Sequence, residues 1–244
     1  IFGLPFQEKE DVIDTIEKTK SLQPDRLAFY SYAHVPWIKG NGQRGFNDED
    51  IPKDEAKREL YETGKQLLYK NDYHEIGMDH FALTTDSLFE SFEIGKLHRN
   101  FMGYSSSKTQ LMIGLGVSSI SDSWYSFAQN VKSIEEYYHH LDANTIPVFR
   151  GHLLTEEDLI IRRHILNLMC QFETSWAEPK YYFKEIPEVI EQLKEMEKDG
   201  LIHFIPNGIQ VTEEGKPFVR NICMAFDLLL KRKAPDTALF SMTV

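Results

Sequence analysis

The sequence predicts an α/β chain whose last third is a mostly helical, winged-helix-like module. Three observations predict it. The chain opens with a strand end, a helix and a second strand spaced for a parallel crossover. Two successive strand candidates then end in histidine-bearing loops. Beyond residue 153 the order is helix, helix, hairpin, helix.

In order, IFGLP reads as a strand end running into a Gly-Pro loop, and EKEDVIDTIEKTKSL repeats Val12, Ile13, Ile16 and Thr19 at helical spacing. RLAFYSYAHVP, rich in aromatic residues, reads as a strand. Residues 40–52 are turn-rich and polar and read as a loop, followed by a helix over 54–73 with Leu60, Gly64, Leu67 and Leu68 near one face. HEIGM is the next strand, and the Asp-His-Phe step after it opens into a polar loop. His34 and His80 thus stand after the carboxyl ends of two strands, where ligands sit in parallel α/β folds.

LMIGLGVSSISDSWYSFAQN is apolar but broken by glycine and serine, and reads as a strand followed by an irregular wall. KSIEEYYHHLD is a short helix, and NTIPVFRGHLLT a linker or edge segment. The domain boundary is placed there, giving units of 1–148 and 149–244. In the tail, Thr155 with Asp158 makes a partial capping box, and Ile161, Ile165 and Leu168 form an apolar stripe. IPEVIEQLKEMEKDG is a helix stopped by Gly200, Pro206-Asn207-Gly208 signals a hairpin, and Lys216 through Lys231 forms the closing helix.

At 244 residues and 41% hydrophobic, the chain can bury a substantial core. Its net charge of -11, from 38 acidic and 27 basic residues, disfavours nucleic acid as the main partner. Cys170 and Cys223 lie in separate helix-like patterns and read as core thiols of a reducing compartment. No apolar run approaches membrane-spanning length, so the expectation is a cytoplasmic protein with no membrane partner. The apolar start at Ile1, without Met, suggests a piece of a longer protein.

Asp79-His80 admits two readings: a turn cap beside a histidine satisfied by backbone, or a pair that binds or protonates a ligand. Neighbours on an extended backbone face opposite ways, so the two side chains meet only if the chain turns there. In KLHRNFMGYSSSK, basic groups at 96, 98 and 99 with Tyr104 and Ser105–Ser107 suit a carboxylate or phosphate, against the bland reading of a solvated loop. His80 and His98 lack the spacing of a metal motif. His139 and His140 read as solvent-facing at a helix end, and His152, His164 and His203 as ordinary interfacial residues. Arg162-Arg163 is a weak signal for a DNA-reading helix. IGLGVSS carries GxG without the dinucleotide fingerprint. Trp37, Trp124 and Tyr125 read as core before pocket wall.

Taken together, IFGLP, DRLAFYSYAHVP, GMDHFA, LHRNFMGYSSS, IGLGVSSIS and VRNICMAFD resemble the later part of the oxygen-independent coproporphyrinogen III oxidases, radical S-adenosylmethionine enzymes of haem synthesis. The match runs through nearly the whole chain, and HRNFMGY with GMDHFA carries its specificity. The resemblance implies an incomplete parallel β/α barrel followed by the helical module. It also implies conversion of two propionates of coproporphyrinogen III to vinyl groups with loss of carbon dioxide. S-adenosylmethionine, a 4Fe-4S cluster and a reductant are the cofactors and partner so implied, with a deoxyadenosyl radical abstracting the propionate hydrogen and the protein orienting the reactants. A monomer is expected.

The family's CxxxCxxC cluster motif is expected upstream of Ile1, so the chain alone is expected to be inactive. By the same resemblance, Ile1, Ala33 and Ile120 match S-adenosylmethionine contacts, while Asp79, His80, His98 and Arg99 are candidates around the tetrapyrrole, with Arg99 neutralising a propionate. The alternatives are a related radical protein that binds or carries haem, which retention of the two motifs disfavours, and a non-enzymatic winged-helix binding module.

Overall fold

The computed structural model describes residues 1–36, 42, 43 and 45–233. Trp37 lies outside the described residues. Contacts divide the described residues into Ile1–Glu93 and Ile94–Leu228, with residues 229–233 grouped with the first unit.

The first unit contains α1 (Lys9–Leu22), β1 (Arg26–Ala28), α2 (Asp54–Tyr69), β2 (Tyr73–Gly77), β3 (His80–Leu83) and α3 (Ser87–Glu93). Helix α1 is fixed at its start by a reciprocal capping box between Glu8 and Asp11, and ends where Gln23 turns left-handed. Val12 and Ile16 of α1 meet Leu60, Tyr61 and Leu68 of α2 in one core with Phe2, Phe29, Tyr73 and Phe81. Phe2 and Phe29 pack at 4.9 Å between ring centroids.

Phe2 forms a parallel bridge to Ser31. It is built by Phe2 N–H donating to the Tyr30 carbonyl at 2.9 Å and Tyr32 N–H donating to the Phe2 carbonyl at 2.7 Å. The two strands read before the His34 and His80 loops are not direct neighbours in a parallel sheet. The sheet order is β1-β3-β2, with β3 antiparallel to both. Strands β1 and β2 therefore run in the same direction and end at one edge, but β3 lies between them. The segment read as a polar loop is this central strand, whose Phe81 and Ala82 are fully buried. It exists because the chain reverses at Met78-Asp79, both left-handed with φ of 40° and 65°. A two-residue turn with both φ positive matches strand twist, yet it is normally signalled by Asn-Gly and not by Met-Asp.

The second unit begins with a hairpin of β4 (His98–Asn100) and β5 (Gly103–Ser105). A four-stranded antiparallel sheet follows, in the order β6 (Leu111–Met112), β7 (Ile120–Ser123), β8 (Ser126–Asn130) and β9 (Val148–Leu153), with α4 (Ile134–Asp142) between β8 and β9. Ser133 caps α4 through the Glu136 N–H. The apolar wall read after residue 111 is thus two strands of a sheet. A boundary at 148/149 falls at the start of β9, whose residues pair with β8 from Asn130↔Val148 to Ser126↔Leu153.

The winged-helix-like order is present: α5 (Glu156–Gln171), β10 (Glu173–Ser175), α6 (Ile186–Lys198), β11 (Ile202–Ile205) and β12 (Gly208–Val211), with sheet order β10-β12-β11. Thr155 and Asp158 complete the capping box of α5. Gly200, at φ 76°, follows α6 where a left-handed residue is required. The closing helix over 216–231 is corrected to a short 3₁₀ turn, then α7 (Val219–Met224) and α8 (Leu228–Lys233). Hydrogen bonds of the i to i-3 type at Ala225, Phe226 and Asp227 interrupt it, placing Phe226 in the core against His164 at 5.4 Å.

Candidate functional site

In the first unit, the reversal at Met78-Asp79 places both opening candidates at the edge where β1 and β2 end. His80 pairs with Ala28 across the ladder, and the Phe29 N–H donates to the Asp79 carbonyl at 2.7 Å. The His80 Nδ1 lies 2.7 Å from the Met78 carbonyl, which only accepts, so Nδ1 carries a proton there. The other ring nitrogen, Nε2, lies 3.0 Å from the Tyr30 hydroxyl. His80 is thus oriented by one backbone group and one phenol.

Lys57 completes this edge. Burial lowers its ammonium from the usual range, while the Asp79 carboxylate acts against that shift. A Cβ added at Gly3, at φ 76°, would stand 3.3 Å from the Lys57 Cε, so the opening IFG segment lies against the same lysine. His34 has its Nε2 3.0 Å from Asp48 and its ring stacked on Tyr32 at 6.2 Å. Ile1 is exposed. Ala33 is exposed and its carbonyl accepts from Gln43 at 2.8 Å.

In the second unit, His98 and Arg99 begin β4 and point to different surroundings. The Arg99 guanidinium lies over the Tyr104 ring at 4.7 Å, and the Tyr104 hydroxyl donates to the Met169 carbonyl at 2.9 Å. Arg99 is therefore tied to the β5 and α5 packing. His98 is buried and lines a cleft of about 720 Å³. Burial first, then the charges of Lys108 and Arg162, lowers its pKa, with Asp122 opposing. Ile120, the third proposed cofactor contact, is half-buried in β7 opposite Gln129.

The cleft gathers residues that the sequence did not join. Lys96, Ser106 and Lys108 of the basic, serine-rich segment meet Trp124, Arg163 and Lys180 there. Trp124 is therefore pocket wall. Lys108 Nζ lies 5.1 Å from its ring centroid. Arg163 stacks on Tyr181 at 3.4 Å and donates to the Ser175 carbonyl at 3.0 Å. Arg162 faces the other way and binds Asp122, which leaves no basic pair for a DNA-reading helix. His164, read as interfacial, is fully buried between Thr174 Oγ1 and the Tyr181 carbonyl, each at 2.8 Å.

Neither cysteine suits an iron–sulfur cluster. Burial pushes both thiols up to about 12, which opposes the thiolate that ligation requires. Among the described residues no three His, Cys, Asp or Glu side chains converge as a metal site, and no helix is long and apolar enough to cross a membrane.

The fold is similar to that of a solved radical S-adenosylmethionine enzyme. The solved structure of coproporphyrinogen III oxidase from Escherichia coli, described as a radical SAM enzyme, matches with a TM-score of 0.85 at 36% identity, over 94% of this chain and 54% of that one. The relatives are oxygen-independent coproporphyrinogen III oxidases. The chain is 37% identical to that of Escherichia coli over 239 residues, 96% of this chain and 52% of that protein. It is 36% identical to the Helicobacter pylori protein over 236 residues, 95% of this chain and 51% of that one. For Synechocystis the values are 35% over 247 residues, with 96% and 52% covered. The chain thus spans about half the length of the curated relatives it matches. No protein-family model matches it.

Proposed function

We propose that this chain is part of an oxygen-independent coproporphyrinogen III oxidase, a cytoplasmic, monomeric enzyme that converts two propionates of coproporphyrinogen III to vinyl groups with loss of carbon dioxide. The observation that carries the reading is the end-to-end likeness: 37% identity over 96% of the chain, with the fold kept at a TM-score of 0.85. The two segments most specific to that likeness, GMDHFA and LHRNFMGY, each form a tight hairpin that presents a histidine.

S-adenosylmethionine and a 4Fe-4S cluster fed by a reductant supply the one-electron chemistry of such enzymes. The cluster's ligands would come from outside this chain, since the thiols here do not fit it. The chain's own contribution is positioning. Ile1, Ala33 and Ile120 are proposed as contacts of S-adenosylmethionine. Asp79, His80, His98 and Arg99 are proposed to shape the tetrapyrrole site. His80 is oriented by the Met78 carbonyl and the Tyr30 hydroxyl, and burial, then the charges of Lys108 and Arg162, lowers the pKa of His98.

The test is anaerobic turnover by the natural full-length protein with its cluster, given coproporphyrinogen III, S-adenosylmethionine and reductant. Protoporphyrinogen IX with two carbon dioxide released per ring is expected. Tight haem binding without decarboxylation would replace this reading with that of a haem-carrying relative.

A further inference from the structure

In a chain with 38 acidic and 27 basic residues, the cleft of the second unit inverts the balance. Among the described residues, Lys96, Lys108, Arg163 and Lys180 line it and no carboxylate does. Among the described residues, Lys96 and Lys108 have no carboxylate within salt-bridge distance, whereas Lys180 is paired with Glu178 at 2.9 Å. Lys96 and Lys108, cations without a counter-charge beside two further basic groups, are repelled by them, and an anion in the cleft relieves that repulsion.

An independent feature points to a ligand as well. His98 is only 7% exposed and lines the cleft, yet its buried Nε2 has no hydrogen-bond partner among the described residues. Burying a polar nitrogen without a partner is unfavourable, and a ligand atom or an ordered water removes that cost. Burial, and after it the charges of Lys108 and Arg162, lowers the His98 pKa, with Asp122 opposing.

Size and lining narrow the class. About 720 Å³ falls in the ~300–1,000 Å³ range of organic-ligand sites and far exceeds a bare anion. Trp124, Tyr181, Leu97 and Ile160 give the walls an aromatic and aliphatic character that suits a ring or apolar body.

We infer that this cleft is a binding site for the carboxylate arms of a ring-bodied organic polyanion, with Lys96 and Lys108 neutralising carboxylates, His98 bonding to the ligand and Trp124 covering its apolar face. The choice of carboxylate over phosphate rests on the proposed function, whose substrate carries four carboxylates.

The experiment uses the natural full-length protein and coproporphyrin III, the oxidised tetracarboxylate ring, followed by porphyrin and tryptophan fluorescence. Lys96→Glu/Lys108→Glu should weaken binding about tenfold or more, because two neutralising contacts become repulsive. The charge-matched Lys194→Glu/Lys198→Glu variant, on exposed positions of α6, should stay within about twofold of wild type. Deuteroporphyrin, with two carboxylates, should bind more weakly than coproporphyrin III, and inorganic pyrophosphate at equal concentration should displace neither.

Equal binding by wild type and Lys96→Glu/Lys108→Glu would overturn the inference, and displacement by pyrophosphate would overturn its carboxylate assignment. Turnover assayed in parallel separates the two readings. Normal turnover with porphyrin binding indifferent to the cleft removes the cleft and leaves the enzyme. Cleft-dependent binding without any turnover removes the enzyme and leaves a polycarboxylate site.

Discussion

Arg162 and Asp122 form a buried ion pair at 2.9 Å that fastens α5 to β7. The same guanidinium donates to the Ser123 and Trp124 carbonyls at 3.1 and 3.3 Å and lies over the Trp124 and Phe127 rings at 4.9 and 5.0 Å. One side chain thus holds the β7–β8 turn and, with it, the Trp124 wall of the cleft. Arg162→Ala leaves Asp122 buried and unpaired, so a loss of about 3–5 kcal/mol is expected in urea unfolding. Asp122→Ala should cost a similar amount by stranding Arg162, and the double variant should cost less than the sum.

His164 sets a pH dependence. Its Nε2 faces the Tyr181 carbonyl, which fixes the proton on Nε2 and leaves Nδ1 to accept from Thr174. Burial lowers its pKa from 6.5 to about 4, with the Tyr181 carbonyl opposing and Arg163 reinforcing the shift. The unfolded state therefore binds the extra proton between these values. Stability is whole above pH 6.5 and falls by roughly 3 kcal/mol as pH drops towards 4. Urea unfolding at a series of pH values should show that slope in wild type and lose it in His164→Gln.

The Met78-Asp79 turn holds a residue poorly suited to φ of 40°. Met78→Asn should stabilise the β2–β3 hairpin by about 0.5–1 kcal/mol, because Asn tolerates the left-handed region and the Met78 carbonyl still accepts from His80. Thermal unfolding reads the gain. A fall in melting temperature would show that the methionine side chain stabilises more than its backbone costs.

Gly64 in α2 faces Phe29, whose ring carbon would stand 2.4 Å from an added Cβ. Helix propensity alone favours Ala by about 1 kcal/mol. The aromatic cluster of Phe2, Phe29 and Tyr61 has no room to yield, so Gly64→Ala should destabilise by about 1–3 kcal/mol in chemical unfolding.

Cys170 and Cys223 should resist iodoacetamide at neutral pH while the protein is folded, and both should alkylate in denaturant. Their burial and raised pKa leave little thiolate. Mass spectrometry counts the adducts. Rapid native labelling of either would contradict the packing described.

The sequence by itself determined the elements whose stabilising signals are local. Helices α1, α2, α4, α5 and α6 follow from apolar spacing and capping residues such as Thr155-Asp158 and Gly200, and β11–β12 from Pro206-Asn207-Gly208. Motifs along the chain carried the family likeness too, since HRNFMGY and GMDHFA are contiguous. Tertiary structure alone decided that His80–Leu83 is the central strand of its sheet, because Met78-Asp79 lacks a turn signature and only pairing with β1 and β2 stabilises it. Only the fold, likewise, brought Lys96, Lys108, Trp124, Arg163 and Lys180 to one cleft and turned Arg99 and Arg162 away from it. Those groups come from four separate segments, and no periodicity or spacing in a linear sequence encodes charges that converge through long-range packing.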